Sequence, residues 1–124
     1  MNVCLSSSFI SASILLLAGC MDSCRNEIIE RLNSPGGKYE AVFFERNCGA
    51  TTGYSKILYL SDSKKKINLD DHKNYVFSMV GETKVDVEWQ NDDLLFVHNS
   101  ASRDEVFIRS LKWGSVDILY RPTK

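Results

Sequence analysis

Near the middle of the chain Val85, Val87 and Trp89 alternate with Lys84, Asp86, Glu88 and Gln90. A period of two turns one set toward a core and the other toward water, so this stretch predicts a β-strand with a single buried face. The triplet Asn91-Asp92-Asp93 predicts a turn, and residues 94–98 a returning strand. Upstream, residues 27–32 predict a first strand and residues 38–46 a second. Between them Ser34-Pro35-Gly36-Gly37 predicts a turn in which proline presets φ and glycine permits its positive values. In the second strand Tyr39, Ala41 and Phe43 point one way while Val42 and Phe44 point the other, which predicts cover on both faces. A loop over residues 47–53, a third strand over 54–60, a polar tip at 61–66 and a short return through Ile67 and Leu69 follow. Asp70-Asp71-His72-Lys73-Asn74 is a polar connection to residues 75–79, whose pattern fits strand or helix. The last part of the chain predicts strands over 105–111 and 116–121, with a turn at Trp113-Gly114-Ser115 between them and Pro122 as the stop.

No stretch of ten or more residues keeps a convincing helical period. The expectation is an all-β domain of about seven or eight short antiparallel strands. Two sheets packed as a sandwich are expected, because either sheet alone would leave an apolar face in water.

The beginning of the chain breaks this rhythm. From Leu5 to Leu17 it is serine-rich and then apolar, the length of a secretory h-region and too short to span a bilayer. No polar face recurs there at helical spacing, which argues against an amphipathic helix of the fold. Leu17-Ala18-Gly19-Cys20 resembles the lipobox of bacterial lipoprotein signal peptides at all four positions. The resemblance implies cleavage before Cys20 and lipidation of that thiol. It divides the chain into a signal peptide over 1–19, a lipidated tether over 20–26 and a single β-domain over 27–124. Each buried methylene of an acyl chain contributes about 0.8 kcal/mol, so several chains on one residue hold a protein on a membrane surface without a spanning helix. With Met21 after the cysteine and an Asp only at position 22, the resemblance favours the outer membrane, facing the periplasm, in a Gram-negative cell.

On that reading Cys4 is discarded and Cys20 acylated, which leaves Cys24 and Cys48 of the four cysteines. In an oxidising envelope compartment two remaining thiols in a small domain are most simply a disulfide. The alternative is a nucleophilic Cys48, its thiolate favoured by Arg46 and by the amides of Gly49 and Ala50.

Cys24, the run from Ser34 to Tyr39, the strand residues Val42 to Arg46 and the loop Cys48-Gly49-Ala50-Thr51-Thr52-Gly53 together resemble a group of small bacterial exported or lipid-anchored proteins of uncharacterised function. The likeness covers about thirty residues and implies export and the cysteine pairing. Those relatives typically carry Asp where this chain has Gly36, so the turn here lacks a side-chain acceptor.

Composition narrows the chemistry further. The 15 basic and 16 acidic residues all lie beyond Cys20 and give a nearly neutral body. The only basic run, Lys64-Lys65-Lys66, reads as a solvated hairpin tip, with an anion site as the alternative, and is too small a face for nucleic acid. The segment from Gly49 to Ser55 has glycines and hydroxyls but not the spacing, lysine or helix of a P-loop. Asp70, Asp71 and His72, like Asp92, Asp93 and His98, lack a diagnostic ligand spacing, so no metal or other cofactor is expected. No Gly-x-Ser-x-Gly elbow and no placeable pair of carboxylates is present, so no catalytic residue is assigned.

These readings converge on a lipid-anchored, non-enzymatic protein of the bacterial cell envelope that binds another envelope component, a protein or other partner. Its expected binding surface is Thr51, Thr52, Tyr54 and Trp113. The alternatives are a small envelope hydrolase with a site around Cys48 to Tyr54, and an inhibitor or immunity-type protein.

Overall fold

The computed structural model describes residues 24–49 and 54–123. Among the described residues it is all-β: nine strands in two sheets, with two single-turn 3₁₀ helices. In chain order the strands are β1 (Arg25–Asn33), β2 (Tyr39–Asn47), β3 (Tyr54–Asp62), β4 (Tyr75–Val80), β5 (Val85–Asn91), β6 (Leu94–Asn99), β7 (Val106–Arg109), β8 (Lys112–Trp113) and β9 (Val116–Arg121). The 3₁₀ turns are His72–Asn74, leading into β4, and Arg103–Glu105, leading into β7.

The first sheet has the order β1-β2-β3-β4-β7 and the second β5-β6-β9-β8. The first four strands form an antiparallel meander, as consecutive alternating segments with short turns favour. Two features depart from the expected simple pairing. The segment expected as one strand over 105–111 is only β7 at Val106–Arg109, which crosses over to pair with β4 in the first sheet. And β9 runs parallel to β6, because β7 and β8 intervene and the chain re-enters the second sheet from the same end. The expected short return through Ile67 and Leu69 is not a strand either; the partner of β3 is β4, so Tyr75–Val80 resolves as strand rather than helix. At the other end β1 begins at Arg25, inside the stretch read as tether.

The main core lies between the sheets. Phe43, Leu58, Leu60, Phe77 and Met79 of the first sheet meet Val87, Leu95, Val97, Val116 and Ile118 of the second. Val76 and Phe77 are neighbours in sequence, yet both enter this core. The register of β4 against β3 slips there, Leu58 facing Phe77 and Tyr59 facing Tyr75, and such a bulge turns two consecutive side chains to one side. Full burial of a leucine or phenylalanine is worth about 1.5–3 kcal/mol, so this interface dominates stability.

A second, smaller core covers the outer face of the first sheet. Val42, Phe44, Ile57 and Tyr59 are buried there under Ile67, Leu69 and Tyr75. The expected cover on both faces of β2 is therefore present, and the 63–74 segment supplies it. Tyr75 donates its hydroxyl hydrogen to the Leu69 carbonyl, and the Tyr59 hydroxyl accepts the Asn68 amide at 3.3 Å.

Polar contacts also join the sheets. The Trp89 indole N–H donates to the Leu32 carbonyl at 3.0 Å, tying β5 to the edge strand β1. The Gly36 amide donates to Asp92 Oδ1 at 2.8 Å, tying the β1–β2 turn to the β5–β6 turn. Tyr120 of β9 donates to the Ser110 carbonyl at 2.7 Å and also approaches the Val76 carbonyl at 3.3 Å.

Candidate functional site

The two ends of the first sheet differ in chemistry. At one end the ladder pairs Arg25 with Asn47, and one step further Cys24 and Cys48 are joined in a disulfide with Cα atoms 4.0 Å apart. Cys48 is thus half of a cross-link and offers no thiol as a nucleophile. Arg46 does not serve it. Its side chain, only 12% exposed, turns to the outer face of the sheet, where it donates to Asp70 Oδ1 at 2.7 Å and to the Leu69 carbonyl at 3.2 Å. The guanidinium also lies over the rings of Phe44 and Tyr75, each centroid 5.8 Å away. It clamps the 63–74 segment to the sheet. Burial pushes the Tyr75 phenol above its ordinary pKa, and the charge of Arg46 partly opposes that rise.

At the other end, where Tyr39 pairs with Asp62, the same segment and the β8–β9 turn enclose a cleft of about 350 Å³. One wall is aromatic. The Trp113 ring meets Tyr39 edge to face at 5.4 Å, and its indole N–H donates to Asn74 Oδ1 at 3.0 Å, so the indole is held in a fixed orientation. Tyr39 is fixed in turn by stacking on Trp89 and by its hydroxyl's hydrogen bond with Ser115. Lys65, Lys66 and Lys73 also line the cleft. Among the described residues none of these three has a carboxylate partner within ion-pair distance. Asp62 and Asp71 also line the cleft; each already accepts a hydrogen bond, Asp62 from the Lys64 amide at 2.9 Å and Asp71 from the Asn74 amide group at 2.9 Å.

The walls are rigid. Ser63 donates its amide to the Lys38 carbonyl at 3.1 Å and its hydroxyl to Gly37, while Ile67 and Leu69 are packed in the outer core. A larger hollow of about 550 Å³ follows the β7 edge beside Phe107, but Arg109 there is engaged over the Tyr120 ring at 4.2 Å. The cleft at Trp113 combines a fixed aromatic with unpaired cations.

Of the expected binding surface, Tyr54 and Trp113 do not share a patch. Tyr54, 53% exposed, opens β3 beside the disulfide end, whereas Trp113 sits at the other end of that strand. Eight residue steps along β3 separate the two ends, roughly 26 Å at the rise of a strand. Thr51, Thr52 and the lipidation candidate Cys20 lie outside the described residues. The histidines go to separate places: His72 stacks on Tyr75 at 4.8 Å, and His98 meets Glu88 at 3.3 Å. Among the described residues no group of three or more His, Cys, Asp or Glu is gathered to hold a metal, and no helix is long and apolar enough to cross a membrane.

Lys65, Lys66, Lys73 and Asn74 were not read as site residues from sequence. The basic run was visible, but its proximity to Trp113 depends on the route of the 63–74 segment. No protein-family model, curated protein or solved structure matches this chain.

Proposed function

We propose that this chain is a lipid-anchored protein of a bacterial cell envelope that performs no chemistry of its own and binds another envelope component in the Trp113 cleft. The observation that carries the reading is the polarity of the first sheet, with a disulfide at one end and the cleft at the other. A disulfide this early in the domain is at home in an oxidising compartment, in agreement with the lipobox four residues before Cys24. Four residues of extended chain reach at most about 14 Å, so an acylated Cys20 holds the disulfide end near the lipid surface. The cleft then points away from the membrane, toward whatever the envelope presents.

Intact mass of the membrane-extracted protein, with and without reduction and alkylation, tests this. The expected species begins at acylated Cys20 and takes up alkyl groups at Cys24 and Cys48 only after reduction. A full-length chain with free thiols would overturn the export reading, and Cys20→Ser protein that stays membrane-bound would overturn the anchor.

A further inference from the structure

We infer that the Trp113 cleft binds an oligosaccharide carrying isolated carboxylate or phosphate substituents. The inference rests on the reading of the cleft as the binding surface and names the class of ligand it takes. Three properties of the lining define that class. The indole is half-buried against the main core and fixed by Asn74 and Tyr39, and the part of it that lines the cleft is apolar aromatic surface, which packs well against the C–H face of a pyranose ring. Asn68, Asp62 and Asp71 add amide and carboxylate groups, short planar side chains that exchange hydrogen bonds with vicinal hydroxyls. Lys65, Lys66 and Lys73 add unpaired ammonium groups, each a point charge suited to a carboxylate or phosphate oxygen.

The mixture of signs decides among anionic ligands. A nucleic acid or an acidic peptide presents a dense line of negative charge, which Asp62 and Asp71 would repel as it crossed the cleft. A saccharide presents hydroxyls to those carboxylates and an occasional acidic group to the lysines. Volume agrees, since about 350 Å³ falls at the lower end of small-molecule sites and suits a short stretch of glycan. The 63–74 backbone is anchored through Ile67 and Leu69, so binding has to order only the exposed lysine side chains and not the segment that carries them.

The experiment follows the Trp113 indole N–H resonance of the full, membrane-extracted protein in detergent, assigned by its loss in Trp113→Phe. Titrants are a trigalacturonate, its methyl ester, glucose 6-phosphate, the disaccharide of N-acetylglucosamine and N-acetylmuramic acid, hexaglutamate and an oligothymidylate. At least one acidic saccharide is expected to shift the resonance, with roughly tenfold preference for trigalacturonate over its ester, the size that one or two partly exposed ion pairs supply. The preference should fall with added salt and vanish in a Lys65→Ala, Lys66→Ala, Lys73→Ala variant that keeps its melting temperature. Response to the uronates alone or to the sugar phosphate alone tells a carboxylate from a phosphate substituent. No response to any saccharide, equal response to the ester, or stronger response to hexaglutamate or oligothymidylate overturns the inference. The same titration on Cys20→Ser protein separates the two readings: retained binding with lost membrane association leaves the ligand assignment standing and bears on the anchor alone.

Discussion

A Cβ built on Gly36 would lie 2.2 Å from the Asp92 carboxylate oxygen, so any side chain there requires that carboxylate to move. That carboxylate accepts the Gly36 amide hydrogen, so the acceptor for this turn comes from the β5–β6 turn of the other sheet. The Ser34 hydroxyl and the Gly36 amide hold Asp92 below its ordinary pKa of 3.8. Gly36→Ala should force Asp92 aside, lose that hydrogen bond and lower the melting temperature; an unchanged value would show that the two turns are not coupled. Tyr120 makes a second prediction at this scale. Burial pushes its phenol up to about 12, while in an unfolded chain it ionises near 10. A raised folded value means the unfolded state gives up the proton first, so stability is complete below pH 10 and declines from there to about pH 12. Tyr120→Phe should flatten that decline in a series of alkaline melting curves, leaving a smaller slope from Tyr75, which is raised in the same direction. An identical decline in the variant would assign it elsewhere.

Among the elements, β1 and the 63–74 segment depend most on single attachments. Strand β1 is an edge strand with almost no buried residue, and Ile28 and Ile29 are exposed at its bulge. Charges along it and the bulge protect its open edge from pairing with another chain. Hydrophobic burial contributes little to holding it, so the disulfide matters more here than in a buried strand. Replacing Cys24 and Cys48 by Ser should cost about 3 kcal/mol in denaturant unfolding, the loop-closure value for a separation of 24 residues. A loss near zero would mean that the β1–β2 ladder already imposes the constraint. The 63–74 segment is held by Arg46 and by its own apolar anchors. Arg46→Ala should cost about 1–3 kcal/mol and speed hydrogen exchange at Asp71 and Asn74, whose amides close turns in this segment. Unchanged exchange there would assign the attachment to Ile67 and Leu69 alone.

For the whole molecule, the outer core, the clamp and the cleft form one chain of cause. Val42 and Phe44 face outward, so they need a cover; the cover is the segment that carries Lys65, Lys66 and Lys73; and its path around the sheet delivers those lysines to Trp113. The proposed anchoring gives this assembly an orientation that can be measured. A paramagnetic lipid in nanodiscs should broaden the signals of Arg25 and Tyr54 strongly and the Trp113 indole weakly, because a strand length separates them. Equal broadening would mean that the domain lies flat on the bilayer.

Local pattern was enough to locate most strands, since alternation with a period of two is a property of neighbouring residues and shows which side chains share a face. It placed β2, β5 and β6 closely and marked the turns at Ser34 to Gly37 and Asn91 to Asp93. The Cys24–Cys48 pairing was likewise expected, on the lipobox resemblance that sets Cys4 and Cys20 aside, and the disulfide is present. Periodicity does not say which strand lies beside which, because a strand with one apolar face satisfies its burial equally well in either sheet. The crossover of β7 to β4, the parallel pairing of β9 with β6 and the bulge at Val76 were decided by closing a common core. The cleft belongs to that second class. Tyr39, Lys65, Lys73 and Trp113 stand far apart in sequence, and burial of a second hydrophobic face, a tertiary demand, brings them together.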